Sequence, residues 1–201
     1  MMHLIKKIIR SPMTMYKLLR NEFFIKLYLK YKNVSYGKNC FFNGFPLIRM
    51  TRLGSINIGN NVVINSDVFS NPLGLNHKTV LSIVGEHGQI TIGDNSGISG
   101  ASIVSMKKIE IGKNVNIGVN SCIWDTDFHS NKPLNEKEEL VKSSSVKIHD
   151  NVFIGANTTI LKGVTIGSGA VVAAGSIVVK NVRPKTLVAG NPAEEKKTIQ
   201  N

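Results

Sequence analysis

Residues 146–182, VKIHDNVFIGANTTILKGVTIGSGAVVAAGSIVVKNV, place an aliphatic side chain at every sixth position. The repeated positions are Ile148, Ile154, Ile160, Ile166, Val172 and Val178. Six steps of roughly 100° would carry these side chains to different faces of an α-helix, whereas six is a multiple of the two-residue period of a strand. The pattern therefore predicts extended chain with all of these side chains on one side.

A second column and a set of turns share this period. Four residues after each aliphatic position comes a small or β-branched residue, as at Val152, Thr158 and Ala170. Turn residues follow the same positions, as in Gly59-Asn60-Asn61, Gly93-Asp94-Asn95 and Gly112-Lys113-Asn114. Asn and Gly accept the left-handed backbone that a sharp corner needs. We therefore expect short parallel strands stacked as a solenoid, with about six coils of about 18 residues between 54 and 182.

The hexads of 146–182, together with Val188-Ala189-Gly190-Asn191-Pro192-Ala193, resemble the hexapeptide-repeat acyltransferases, and most of all their maltose, galactoside and polysaccharide O-acetyltransferase branch. The resemblance is good over residues 90–195 and loose over 34–89, where residues 69–89 break the hexad. It implies an all-β fold, a left-handed parallel β-helix over 34–183, followed by a tail at 184–201. It also implies a homotrimer with its active sites between subunits.

Residues 124–145, WDTDFHSNKPLNEKEELVKSSS, interrupt the hexads and are too polar for a coil face. We expect a loop extruded from a corner of the solenoid. Asp125, Asp127 and His129 open it; on residue types alone they fit a solvated turn, although a neutral imidazole can also remove a proton at neutral pH. The resemblance implies that His129 is the catalytic base, with Asp125 or Asp127 holding its other ring nitrogen.

The resemblance also implies acetyl-CoA as the acyl donor, bound along the C-terminal coils. Matching the motif residue by residue gives Gly155, Ala156, Ala174 and Gly175 along the pantetheine arm, with Lys180 and Lys197 near the nucleotide. Tight coils also require small residues, so these glycines and alanines have a structural reading as well. No metal is expected, because the histidines show no ligand spacing.

The two cysteines, Cys40 and Cys122, form neither a CxxC pair nor a disulfide framework. A reducing, cytoplasmic location is the simpler interpretation. Cys122 is expected inside the coil, not as a nucleophile, so direct acyl transfer is favoured over a covalent acyl-enzyme. No stretch is long and apolar enough for a membrane span, and no secretory leader is evident.

Residues 1–38 carry nine basic residues and one acid, which gives +8 of the chain's net charge of +12. Apolar residues at spacings of three and four predict one or two amphipathic helices in an arm over 1–33, divided near Ser11-Pro12. Such an arm can contact the inner face of an anionic membrane, or it can pack on the main domain. Nucleic acid is not expected, because no recognised motif accompanies the charge.

Three functions remain open from these observations. The first is O-acetylation of a sugar hydroxyl in a surface polysaccharide or its lipid-linked precursor. The second is N-acetylation of an amino sugar on a nucleotide. The third, of a different class, is a non-catalytic scaffold in which the solenoid serves only binding or assembly.

Overall fold

The computed structural model of the chain describes residues 12–129 and 141–199, with side chains described from Glu22 onward. Helix α1 (Pro12–Tyr31) precedes a solenoid of parallel strands. Its first three coils contain β1 (Ser35–Tyr36), β2 (Phe41–Asn43), β3 (Leu47–Arg49), β4 (Ser55–Ile58), β5 (Val63–Asn65), β6 (Val80–Ile83), β7 (Gln89–Ile92), β8 (Gly97–Ser99) and β9 (Ser102–Ser105). The next three contain β10 (Lys108–Ile111), β11 (Asn116–Ile117), β12 (Cys122–Trp124), β13 (Val146–Ile148), β14 (Phe153–Ile154), β15 (Thr159–Ile160), β16 (Thr165–Ile166), β17 (Val171–Val172) and β18 (Ile177–Val178).

Each strand pairs with the strand three places along the chain, so the coils stack into three sheets. Sheet 1 contains β1, β4, β7, β10, β13 and β16; sheet 2 contains β2, β5, β8, β11, β14 and β17; sheet 3 contains β3, β6, β9, β12, β15 and β18. The aliphatic positions of the hexads are aligned, as in Ile148 against Ile166 and Ile160 against Val178. All six of the positions in 146–182 are buried, so the predicted inward column is confirmed. Burying one such side chain stabilises the fold by about 1.5–3 kcal/mol.

The solenoid has six coils, but only five of them, β4 to β18, lie between residues 54 and 182, where about six were expected. The remaining coil, β1 to β3, comes first along the chain and begins at Ser35. The second coil contains an insertion at residues 66–79, between β5 and β6, which includes a short 3₁₀ helix (Val68–Ser70). Asn76 at its far end donates its backbone N–H to Oδ1 of Asn120 at 2.9 Å. This insertion explains part of the break in the hexads over residues 69–89. Beyond it, β6 and then β7 again pair in register with the neighbouring coils.

The corner between sheets 1 and 2 is four residues long in all six coils. Its left-handed positions are asparagines in five of them, with φ between 55° and 59°: Asn39, Asn61, Asn95, Asn114 and Asn151. Their amides bond from coil to coil, as from Asn61 to Asn95 at 3.0 Å and from Asn114 to Asn151 at 3.0 Å. The predicted use of Asn at the corners is confirmed.

Helix α1 covers the first coil, and a hairpin follows the last one. Ile25 and Leu29 are fully buried in the solenoid core. After the helix, Asn33 has a φ of 55°, its N–H donates to the Lys30 carbonyl, and the Val34 N–H donates to the Leu29 carbonyl. These bonds satisfy the last carbonyls of the helix and bring Leu29 close to Val34, and together they form the Schellman motif. No helix within the described residues is long and apolar enough to cross a bilayer.

Residues expected as a tail instead extend sheet 2. Strand β19 (Thr186–Gly190) pairs in parallel with β17, and β20 (Ala193–Thr198) pairs antiparallel with β19. The Arg183 guanidinium holds the hairpin through both carboxylate oxygens of Glu195, at 2.5 and 2.7 Å. The outer strand β20 carries four consecutive charged residues, 194–197, all exposed.

Candidate active site

The loop that follows β12 begins at a buried carboxylate. Asp125 is fully buried, and its Oδ1 accepts the Met106 N–H at 2.6 Å. Its Oδ2 accepts the N–H groups of Lys107 at 2.8 Å and Lys108 at 2.6 Å, and the Ser105 hydroxyl at 3.0 Å. A buried polar side chain is tolerated when several hydrogen-bond donors satisfy it. Asp125 therefore fastens the start of the loop to the corner of the coil below.

The two ends of the loop pair with each other. Thr126 and Ser143 form an antiparallel bridge. The Ser144 N–H donates to the Asp125 carbonyl at 2.8 Å, and the Asp127 backbone N–H donates to the Lys142 carbonyl at 3.1 Å. The chain thus leaves the prism and returns to it at a single point. Residues 130–140 of the predicted loop 124–145 lie outside the described residues.

His129 stands just beyond this paired stem. Its backbone N–H donates to the Asp127 carbonyl at 2.7 Å, which makes a three-residue turn centred on Phe128 with a φ of 63°. A positive φ at the centre of such a turn is rare and strained for a bulky residue. The Phe128 ring meets Trp124 edge-on at 6.0 Å, so ring packing helps to hold the turn. The imidazole of His129 is exposed.

The structure gives Asp125 and Asp127 partners other than His129. Both oxygens of Asp125 are occupied by the corner below, which differs from the expectation that this carboxylate would hold the imidazole. Asp127 accepts from the Lys162 ammonium at 2.6 Å, in a pair whose side chains are about one third exposed. Sequence analysis did not identify Lys162. In the structure Ile123 pairs with Ile160, so residue 162 lies one coil above the start of the loop.

The four small residues expected to border the pantetheine arm share one edge of the prism. Gly155 and Ala156 follow β14, Ala174 and Gly175 follow β17, and Gly175 donates its N–H to the Ala156 carbonyl at 2.8 Å. A side chain at Gly155 would collide with the Ala174 backbone, so coil stacking alone requires glycine there. Gly175 has a φ of 73° and open space where a side chain would project, so its backbone is accessible.

The two lysines expected near the nucleotide lie at the C-terminal end. Lys180 lines a cavity of about 420 Å³ between the last corner and the hairpin, together with Arg183 and Pro192. Lys197 is exposed on β20. The small residues lie at the corner between sheets 2 and 3, whereas the His129 loop leaves the corner between sheets 3 and 1. Within one chain, sheet 3 therefore separates the two groups.

Cys122 differs from its expected position. Its side chain is half-buried on the outer side of β12, beside Ser102 and Thr159, while Ile123 points into the core. Burial raises the pKa of the Cys122 thiol. Because the thiolate is the nucleophile, a raised pKa leaves this sulfur poorly reactive at neutral pH.

Comparison with known proteins supports the repeat and the fold. Residues 145–180 match the family described as bacterial transferase hexapeptide (six repeats), and residues 108–123 match the hexapeptide repeat of succinyl-transferase. A protein of Schizosaccharomyces pombe assigned as an acetyltransferase is 38% identical over 97 residues, which cover 46% of this chain and 44% of that protein. The chain thus spans less than half the length of that relative.

Two solved structures extend the likeness. A hexapeptide-repeat acetyltransferase of Vibrio cholerae in complex with acetyl coenzyme A is 34% identical, with a TM-score of 0.52 over 56% of this chain and 61% of that one. An N-acyltransferase of Bacillus cereus, in complex with dTDP-4-amino-4,6-dideoxyglucose and coenzyme A, is 25% identical, with a TM-score of 0.67 over 88% of this chain and 89% of that one. The chain therefore carries hexapeptide repeats of the bacterial transferase type on a fold that it shares with acyltransferases solved in complex with coenzyme A.

Proposed function

We propose that the protein is a CoA-dependent acyltransferase that transfers an acetyl group to a sugar. The observation that carries the proposal is the exposed imidazole of His129, presented just beyond a loop stem that Asp125 fastens to the prism. The likeness to the Vibrio cholerae acetyltransferase, which binds acetyl coenzyme A, supports the choice of donor. A non-catalytic scaffold would not need a histidine presented in this way.

In the proposed reaction the imidazole of His129 accepts the proton of an acceptor hydroxyl. The oxygen then attacks the thioester carbonyl, and the tetrahedral intermediate collapses with loss of the CoA sulfur. The imidazolium returns the proton to that sulfur, so the products are an acetyl ester and free CoA. Asp125 is a positioning residue in this proposal, because its hydrogen bonds to the corner below fix the chain from which His129 projects.

The donor would lie along the corner between sheets 2 and 3, where Gly175 leaves the backbone accessible. In the cavity at the C-terminal end, Arg183 is paired with Glu195 and Glu194 also lines the wall, so the positive charge proposed for the phosphates is that of Lys180. Because sheet 3 separates this corner from the His129 loop within one chain, we propose that a second copy completes the site. A homotrimer provides three such junctions.

Two acceptors fit the proposal. O-acetylation of a sugar hydroxyl in a surface polysaccharide or its lipid-linked precursor is the first. N-acylation of an amino sugar on a nucleotide is the second, and the similarity to the Bacillus cereus N-acyltransferase, which covers nearly nine-tenths of the chain, favours it specifically.

A thiol-release assay tests the activity and separates the two acceptors. The protein is incubated with acetyl-CoA and matched sugars that carry either a free hydroxyl or an amino group at one position. We expect free thiol only when an acceptor is present. Mild base then cleaves an ester product but leaves an amide intact. Thiol release that no acceptor increases would contradict the proposal and favour the scaffold.

Light scattering tests the assembly. A trimer has three times the chain mass of 22.0 kDa. An active species with the mass of one chain would show that no second copy is needed.

A further inference from the structure

Helix α1 has two apolar faces over Glu22 to Tyr31, the part whose side chains are described; one packs on the prism and the other is exposed. Ile25 and Leu29 are buried in the core. Residues two apart on an α-helix differ in direction by about 200°, so Phe23, Leu27 and Tyr31 lie nearly opposite these two. Their side chains are 65%, 55% and 82% exposed. We call Phe23, Leu27 and Tyr31 the outer stripe.

The buried and exposed faces of α1 bear on whether the helix packs on the prism or contacts a membrane. Packing on the prism and contact with a membrane looked like alternatives for one apolar face. The structure assigns the first role to Ile25 and Leu29, which leaves the outer stripe for a separate partner. Three large apolar groups aligned on one exposed helix face indicate an interaction surface.

The charge around the outer stripe indicates the partner. Lys30 is exposed next to Phe23 in helical projection, and the Lys32 ammonium lies 5.8 Å from the Tyr31 ring centre. Glu22, the only acid in residues 1–38, forms an ion pair with Lys26 at 2.6 Å. An exposed tyrosine between apolar and basic neighbours suits the boundary between lipid chains and headgroups.

A second copy of the chain is a poorer occupant. Two helices joined through their outer stripes would bring together segments that each carry +8 over residues 1–38. Like charges at such a junction repel, whereas anionic lipid attracts each basic residue and accepts the apolar stripe. We therefore propose that the outer stripe and its flanking lysines bind the surface of an anionic membrane. The proposal does not depend on acyl transfer.

Co-sedimentation of the full-length chain with vesicles tests the proposal. Vesicles of phosphatidylcholine with phosphatidylserine should bind the protein, and vesicles of phosphatidylcholine alone should bind it much less. Raising salt should weaken binding, because it shortens the range of the attraction from roughly 10 Å at 0.1 M to roughly 3 Å at 1 M. The double variant Phe23→Ser, Leu27→Ser should lose at least about tenfold in vesicle affinity.

Controls separate lipid binding from misfolding and from self-association. Phe69→Ser changes a side chain that is 95% exposed and belongs to the insertion, not to α1, and this variant should bind vesicles like the unchanged protein. Thermal melting should be the same for all three proteins, because every altered side chain is exposed. Equal vesicle binding by the double variant, or none by the unchanged protein, would overturn the proposal. A lower oligomer mass for the double variant without lipid would assign the stripe to a second copy, and equally stripe-dependent binding to duplex DNA would assign it to nucleic acid.

Discussion

Two corners of the same prism behave in opposite ways. The corner between sheets 1 and 2 is four residues long in all six coils and repeats a left-handed asparagine in five of them. The corner between sheets 3 and 1 varies from the two residues 106–107 to the stretch 125–145. Amide bonds run along the first corner from coil to coil, and the second releases the chain that carries His129.

The difference separates the residues that build the prism from those proposed to act. The corner between sheets 1 and 2, which we call the constant corner, has polar side chains that bond to the neighbouring coils. A substitution there would therefore disturb the stacking of the coils. At the corner between sheets 3 and 1, which we call the variable corner, the buried carboxylate of Asp125 fastens the start of the loop. The loop beyond it can therefore differ in length and sequence without disturbing the coils. The corner between sheets 1 and 2 contains His149, and the corner between sheets 3 and 1 contains His87 and His129. Substitutions of His149 and His129 therefore test the comparison.

The largest expected effect is on catalysis. His129→Ala should lower turnover by roughly 10²–10⁴-fold, because general-base catalysis supplies a factor of that size. CoA affinity and thermal stability should change little, since the imidazole is exposed. Acetyl-CoA turnover, CoA binding and melting temperature measure the three quantities.

His149→Ala is the matched control in the constant corner. His149 is half-buried there, and we expect near-normal turnover from this variant. Equal losses in the two variants, or full activity in His129→Ala, would remove the functional contrast between the corners.

The next effect is on stability at the variable corner. Asp125→Ala leaves three backbone N–H groups and one hydroxyl without their acceptor in a buried site, which should cost about 3–5 kcal/mol of unfolding free energy. Asp127→Ala breaks a partly exposed pair with Lys162 and should cost less than about 1 kcal/mol. Chemical denaturation measures both, and comparable losses would contradict the role of Asp125 as the anchor.

A smaller effect is expected at the constant corner. Asn114 has a φ of 55°, and Ala in that conformation costs about 1–2 kcal/mol. Asn114→Gly keeps the turn without this strain and loses only the exposed amide bond to Asn151. The alanine variant should therefore melt at a lower temperature than the glycine variant. The reverse order would mean that the amide bonds, and not the backbone conformation, govern this corner.

The smallest effect is a pH dependence at the same corner. The pKa of Asp94 lies below its ordinary value, first because the Asn60 backbone N–H donates to it and then because Lys113 bonds to it. A lowered pKa in the folded state adds stability above the ordinary pKa of 3.8, and this stability is lost as pH falls through the folded value. Asp94→Asn should thus lower the melting temperature slightly at neutral pH, with the difference vanishing in acid. A difference that persists in acid would point to packing instead.

The inward column and the corner turns could be predicted because both depend on local chemistry. An aliphatic residue at Ile154 or Ile160 points inward whatever stacks above it, and an asparagine such as Asn95 takes the left-handed conformation by itself. The position of the extruded loop followed from its polarity. Its start beside a buried strand, with His129 outside, agrees with that expectation.

What escaped prediction depends on contacts between distant segments. The donors to Asp125 lie 17–20 residues earlier, and the pairing of the two segments is visible only once the coil register is known. The hairpin of β19 and β20 lacks hexads, because an antiparallel pair does not wind around the core. The outer stripe of α1 could not be told from the buried face, since both show the same spacing of four residues.

The closed ends of the prism also limit its length. A stack of parallel coils has no inherent last member, because each end offers free strand edges to which another copy could pair. Here α1 lies over the first coil through Ile25 and Leu29, and β20 turns a charged strand outward at the edge of sheet 2. Without these two caps, copies of the repeat could pair end to end and grow into a filament. The caps would limit the stack to six coils.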